Sequence, residues 1–342
     1  EEKRRLHEMK PTTSKQEKEK KVVKSRRKLS VVGATGINFK IIDGASENKE
    51  PEVTKQSQTT QTKCFKSFHT MTKTGFVPFN SGKVNQDRPL AVAPFLNSGD
   101  KAVFGCFDGH GAVGHEVSQY CITELPKHIA AQKDLDKDPN TALDRAFVAC
   151  NMKLCQSKID CTFSGTTVVV CYLNGKTLYT CNAGDSRAVL AKQKDGKLTA
   201  VDLSDDHKPD RPDELKRIIV KGRVEACKGM HGEDIGPQRV WLKHEDLPGL
   251  AMSRSFGDLI AASVGVIPNP EIFTRTLEPN DKFMILASDG VWEFITSQEA
   301  IDIIAGCKTG DEACKKIVDE SVARWKQEEE VIDDITCLIV YF

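Results

Sequence analysis

Residues 166–191 read TTVVVCYLNGKTLYTCNAGDSRAVLA, and this stretch decides the fold class. The apolar runs 166–173 and 177–183 flank Asn174-Gly175. That dipeptide is a strong hairpin signal, because both residues tolerate the positive φ that a tight strand connection needs. A third run, 188–191, follows Gly184-Asp185-Ser186-Arg187. The spacing predicts an antiparallel meander of three strands, with no crossover helix between them.

Working outward, short apolar runs rich in Val, Ile, Thr and Phe recur at 63–71, 89–95, 102–107, 198–203, 273–277, 283–288 and 335–342. Helical periodicity appears at 114–132, 139–158, 209–221, 297–305 and 311–326. Clustered hairpins with segregated helices predict an α+β fold of stacked antiparallel sheets with helices outside. Residues 222–250 contain Gly and His and few long apolar runs, so they are expected to form a long irregular insertion. Such insertions in compact domains tend to be functional.

The 342-residue chain has a formal net charge of zero, unevenly spread. Residues 1–30 carry 12 Lys/Arg against 5 Glu, and the rest carries 37 basic against 44 acidic groups. A mildly acidic body behind a basic leader does not resemble a nucleic-acid domain. Residues 1–60 are poor in aromatics and read as a basic extension, flexible or partly helical over 1–10 and 16–28. Within it, Arg26-Arg27-Lys28-Leu29-Ser30 looks like a basic-directed kinase site, although a solvated tail is the plainer reading. The globular domain is expected over 61–342. None of the 12 cysteines is spaced Cys-x-x-Cys, and many lie inside apolar runs. That usage points to an intracellular address, cytoplasmic or nuclear. No run reaches transmembrane length. The chain opens on Glu1, so an anchor ahead of it is left open.

Four acidic positions stand alike at the borders of apolar runs. Run 102–107 leads into Asp108-Gly109-His110-Gly111, 177–183 into Gly184-Asp185, and 283–288 into Asp289-Gly290, while Asp333-Asp334 precedes 335–342. A carboxylate near apolar walls is costly unless paired, and four placed alike suggest a shared divalent partner. Gly109-x-Gly111-x-x-Gly114 also fits a dinucleotide fingerprint. Asp108 would then put an anion where the pyrophosphate must sit, and no repeated βαβ pattern follows. Metal binding fits better. Asp289 and Glu293 share a face if a helical turn starts there.

Taken in order, GKVNQDR (82–88), VFGCFDGHG (103–111), SGTTVVV (164–170), NAGDSRA (182–188), SDDHKP (204–209), LAMSRSFGD (250–258), ILASDGVW (285–292) and DDIT (333–336) resemble the metal-dependent protein phosphatase family, type 2C. The resemblance runs from about residue 68 to 342. It implies a central sandwich of two antiparallel β-sheets flanked by pairs of α-helices, with two Mg²⁺ or Mn²⁺ ions at one end. By the same resemblance Asp108 bridges the ions, the Gly109 carbonyl ligates one, Asp289 and Asp333 ligate the other, and Asp87 supports the first. Asp185 and Glu293 would hold a third, weaker ion, and 222–250 matches the family's flap. The chain departs from the family at Gln86, where many members are acidic, at Glu293, where many have Asp, and at Ala112, where Gly is common. It departs again at Gly82, where many carry the arginine that grips the substrate phosphate; the nearest cation is Lys83.

The implied activity is hydrolysis of phosphoserine and phosphothreonine in protein substrates by a metal-activated water. All-oxygen sites suit hard ions, and paired ions lower the pKa of a shared water. His110, beside the metal turn, is expected to protonate the leaving alkoxide. His207 is expected to orient a loop. No protein nucleophile is evident. The competing expectation is a pseudophosphatase, a scaffold of the same fold that binds phosphoproteins without turnover. The chain is expected to act as a monomer.

Overall fold

The computed structural model describes the backbone of residues 53–59 and all of residues 62–342. The helices expected within 1–28 and the basic patch at 26–30 lie outside the described residues.

Two antiparallel sheets face each other. The first is ordered β1 (Val53–Thr59), β2 (Ser67–Lys73), β16 (Ile335–Tyr341), β15 (Asp281–Ala287), β8 (Arg187–Lys194), β9 (Lys197–Asp202). The second is ordered β13 (Phe256–Gly257), β5 (Gly165–Thr166), β4 (Lys101–His110), β6 (Val168–Asn174), β7 (Thr177–Ala183), β14 (Glu271–Thr276), with β3 (Asp87–Val92) also paired to β4. Strand β1 falls within the stretch that the sequence reading assigned to the extension.

Alternation along the strands explains why both sheets are covered on both faces. On β6, Val169, Cys171 and Leu173 point into the layer between the sheets, beside Phe104, Met284, Leu286 and Leu338. Val168, Val170 and Tyr172 point the other way. There they meet helices α1 (Gly114–Ala130) and α2 (Pro139–Cys155), through Val117, Cys121, Leu143 and Phe147. On the outer face of the first sheet, Ile285, Cys337 and Ile339 pack against residues of α6 (Ser297–Ile304) and α7 (Gly310–Glu328) such as Ile301, Ile317 and Trp325. Helix starts are fixed locally. Asp138 accepts from Thr141 N, with Pro139 opening α2, and Thr296 with Glu299 forms a capping box ahead of α6.

Two expectations are corrected. Runs 166–173 and 177–183 do form a hairpin, from Asn174↔Thr177 outward. Its two turn residues are Gly175 and Lys176, with Gly175 at φ 60°. The third run, however, leaves that sheet: β8 pairs with β15 and β9 across the sandwich. Gly184 at φ 123° and the buried Asp185 make the crossing, where a simple meander would have needed only a hairpin turn. The second correction is the insertion. Most of residues 222–250 form a three-stranded antiparallel sheet, β10 (Gly222–Lys228), β11 (Asp234–Leu242), β12 (Pro248–Leu250), with a small core of Ile218, Val240, Leu250 and Val264. Charged residues at non-core positions of β10 and β11 broke up the apolar runs and hid the strands.

Helices α3 (Pro212–Ile218), α4 (Leu259–Ala262) and α5 (Asp289–Trp292) complete the described elements. All cysteines in the described residues are free thiols. No described helix is long and apolar enough to cross a membrane.

Candidate metal centre

The ends of β3, β4 and β15, the turn before β16 and the β7–β8 connection meet at one edge of the sandwich. Asp87 and Asp108 are direct cross-strand partners at the β3–β4 end. Asp289 opens α5, a single turn that follows β15 at once, and Glu293 N donates to Asp289 O at 2.8 Å. Asp333 comes immediately before Asp334 and β16. A cleft is lined by Gln86, Asp108, Gly109, His110, Asp185, Asp289 and Asp333, together with Arg239, Leu250, Ala251 and Met252. Close approach decides Gly109: a Cβ there would lie 2.3 Å from Gly114 O and 2.7 Å from Gln86 O.

The carboxylates are held as well as gathered. Asp108 N donates to Thr167 Oγ1 at 3.0 Å, and Thr167 N donates back to Asp108 O at 2.9 Å. Ser288 Oγ donates to Asp87 Oδ2 at 2.7 Å. Asp87 Oδ1 is buried with no hydrogen-bond partner. Burial pushes the Asp108 carboxyl well above its ordinary range, and Asp87, Asp289, Asp333 and Asp185 push it further. Burial, then Asp334, raises Asp87 to about 8 against the donation from Ser288. Carboxylates that burial and one another drive toward protonation form a site that a hard cation would relieve. Their donors are all oxygen, and the buried, unsatisfied Asp87 oxygen fits the same reading.

Another cluster brings three metal-type donors within 4.8 Å of one another: His207, Glu214 and Glu271. Arg211, Arg217 and Arg254 already hold its carboxylates at 2.5–3.5 Å, so a cation would have to displace guanidinium groups. This cluster is a structural ion-pair network. His207 Nδ1 accepts from Gly184 N at 3.1 Å, which ties the network to the β7–β8 crossing.

The Protein phosphatase 2C family model matches residues 79–329. The chain belongs to the protein phosphatase 2C family. It is 33% identical over 288 residues to "Probable protein phosphatase 2C 35" of Arabidopsis thaliana, covering 80% of this chain and 83% of that protein. It is 36% identical over 287 residues to "Probable protein phosphatase 2C 73" of the same plant, covering 75% and 76%. The fold matches the crystal structure of serine-threonine phosphatase 2C from Toxoplasma gondii with a TM-score of 0.70 at 20% identity, over 85% of this chain and 99% of that one.

Some residues of this phosphatase 2C domain carry connections that the motifs did not announce. His110 Nε2 lies 2.7 Å from Asp258 Oδ2, across 148 residues of sequence. Burial works to lower the His110 pKa, but the charge and hydrogen bond of Asp258 raise it on balance. Asp333 and Asp334, read together in the sequence, separate in space. Asp333 lines the cleft, whereas Asp334 is 4% exposed and accepts from Gly75 N at 2.7 Å and Gln86 N at 2.9 Å. Lys83 Nζ pairs with Asp334 Oδ1 at 2.5 Å and is not among the cleft's lining residues. Asp185 is paired with Lys208. Glu293 is half-buried and also outside the cleft lining. The lysine of the DHKP run and the carboxylate closing the LAMSRSFGD run were the available signals for Lys208 and Asp258.

Proposed function

We propose that this protein phosphatase is a Mg²⁺/Mn²⁺-dependent enzyme that hydrolyses phosphoserine and phosphothreonine in protein substrates. The observation that carries the reading is the convergence of Asp108, Asp185, Asp289 and Asp333 on one cleft with His110 beside them. Asp87, Asp108, the Gly109 carbonyl, Asp289 and Asp333 would hold two ions, and Asp185 with Glu293 a third, weaker one. When bound, such ions supply Lewis-acid charge for the phosphoryl oxygens and lower the pKa of water.

The chain's own residues do the rest. Asp258 accepts from His110 Nε2 and stabilises the imidazolium, which leaves Nδ1 to carry the proton that the departing serine or threonine oxygen needs. His110 Nδ1 is buried without a hydrogen-bond partner, so no protein acceptor competes for that proton. Leu250, Ala251 and Met252 add apolar lining to the cleft and limit competing water.

The commitment of Lys83 to Asp334 favours one alternative, a pseudophosphatase that binds phosphoproteins without turnover. The separating experiment is phosphopeptide hydrolysis with added Mn²⁺ or Mg²⁺. Phosphate release that stops with chelator and returns with either ion is expected. Tight phosphopeptide binding with no phosphate released would establish the scaffold instead.

A further inference from the structure

The first described strand starts at the same edge of the sandwich as the metal centre. Val53, which opens β1, stands opposite Lys73 at the end of β2, and Ile335, two residues past Asp333, stands opposite the same Lys73. Two strand spacings put Val53 about 10 Å from Ile335, so the chain ahead of Val53 joins the domain beside the cleft. The segment between β2 and β3 runs along that edge. Phe76 N donates to Ile332 O at 2.7 Å, and Ile332 N donates back to Phe76 O at 2.8 Å. Ten residues on, Gln86 lines the cleft itself. Between these anchors the segment leaves Phe76, Phe79 and Val84 each more than half exposed. Apolar side chains grouped on one rim segment mark a contact site, where scattered ones would not.

The chain carries a segment of matching chemistry. Residues 26–32 read Arg-Arg-Lys-Leu-Ser-Val-Val, so three cations precede Ser30 and Leu29, Val31 and Val32 flank it. Residues 1–30 carry 12 Lys/Arg against 5 Glu, whereas residues 53–342 carry 35 basic against 40 acidic groups, and the two attract. Ser30 stands 23 positions ahead of Val53, a stretch that spans at most roughly 80 Å, several times the distance from β1 to the cleft. We propose that residues 26–32 are a tethered substrate of this chain's own metal centre: Ser30 is a phosphorylation site, its apolar neighbours dock on Phe76, Phe79 and Val84, and its phosphate is removed within the same molecule. The inference rests on the phosphatase reading above and deepens it by naming one substrate. A basic-directed kinase moves the γ-phosphoryl group of a nucleoside triphosphate to Ser30 Oγ, and the hydroxyl proton leaves. In the cleft, water adds to phosphorus as the bond to Ser30 Oγ breaks; the serine oxygen regains a proton and inorganic phosphate departs. Tethering presents the ester at an effective concentration on the order of millimolar, so hydrolysis of this site outruns that of a free peptide at micromolar concentration.

The test uses the full chain with phosphoserine installed at position 30 and kept in chelator until Mn²⁺ is added, with phosphate loss read by intact mass. Within one molecule the loss is first order, and its rate constant should stay the same over about a 100-fold dilution. A rate that falls in proportion to dilution would overturn the proposal, and so would phosphate kept on Ser30 while an added phosphopeptide is hydrolysed. The docking surface is read separately, in trans. A phosphopeptide of residues 24–34 should show a KM about tenfold below that of the same peptide with Leu29, Val31 and Val32 changed to Ser. Phe79→Ser combined with Val84→Ser should erase that preference while leaving turnover of the Ser-flanked peptide unchanged. Equal KM values for the two peptides in the unaltered chain, or a preference that survives in the double variant, would remove the rim from the proposal and defeat it. If neither the added phosphopeptide nor Ser30 loses phosphate with any ion, it is the phosphatase reading that fails, and that result is distinct from a spared Ser30 in an active enzyme.

Discussion

Asp87 is 1% exposed and Glu214 0% exposed, yet their surroundings drive them in opposite directions. Around Glu214, burial would raise the pKa, but donations from Arg217, Arg254 and Ser253 overcome it and hold the group ionised, well below its ordinary value. Around Asp87 and Asp108 burial is reinforced by further carboxylates, and both are pushed up. The first cluster carries its own cations and is complete within the chain. The second sets carboxylate beside carboxylate, with Lys208 pairing Asp185 in the cleft lining. The same residue type therefore serves as cross-link in one place and as ligand in the other, and the surrounding arginines are what distinguish the two.

The sharpest way to break this comparison is Asp108→Asn. If Asp108 is a ligand, activity should fall by more than about 100-fold, since losing an outer partner of a ligand already costs about 10–100-fold. The same change removes a charge from a mutually repelling set, so the ion-free protein should melt a few degrees higher than the unaltered chain. Calorimetry with and without Mn²⁺ reads both sides: the unaltered chain should gain stability with the ion and the variant much less. A variant that melts lower in the absence of ions would mean that the cluster is held together from within, like that of Glu214.

Glu214→Gln should do the reverse. It strands Arg211, Arg217 and Arg254 around a neutral amide, and breaking a buried ion pair from one side costs about 3–5 kcal/mol. Urea unfolding should show that loss, while turnover per folded molecule changes little. Acid should erode the same network. Glu271 is held at about 2, against an ordinary 4.5, by the hydrogen bond from His207 and by Arg211, with burial opposing. A carboxyl lowered in the folded state contributes stability that is fully present above about 4.5 and is lost as pH falls toward about 2. Ion-free unfolding curves should therefore weaken over that window, and less so in His207→Ala, where part of the lowering is already gone.

Most of the fold was readable because its signals are local. Short apolar runs rich in Val, Ile, Thr and Phe marked the buried strands, and helical periodicity marked the helices. The strand-end acids were readable for a chemical reason: Asp108 and Asp289 interrupt apolar runs where only a paired charge is tolerable. What local signals could not carry was partnership. The His110–Asp258 contact spans 148 residues, the crossing at Gly184-Asp185 looks like any hairpin turn, and the pairing of Lys83 with Asp334 depends on how two distant turns meet. Arg239 was passed over because β11 carries charged and polar residues beside Val240 and Trp241, so its segment did not look like a strand whose inward side chains would matter.

The His110–Asp258 pair is an intermediate case, in which one carboxylate is balanced by one imidazole, and it gives the finest test of the comparison. If Asp258 steadies a proton donor, Asp258→Asn should hurt most when the leaving oxygen is basic. On a phosphoserine peptide, whose alkoxide needs the proton, turnover should drop about tenfold or more. On an aryl phosphate, whose phenolate leaves unaided, the drop should be several-fold smaller, and His110→Gln should show the same asymmetry more strongly. Asp258 also accepts from Ser255 Oγ at 2.5 Å, so a purely structural role is a real competitor. A structural role predicts equal losses on both substrates, because a distorted cleft does not distinguish leaving groups by their basicity.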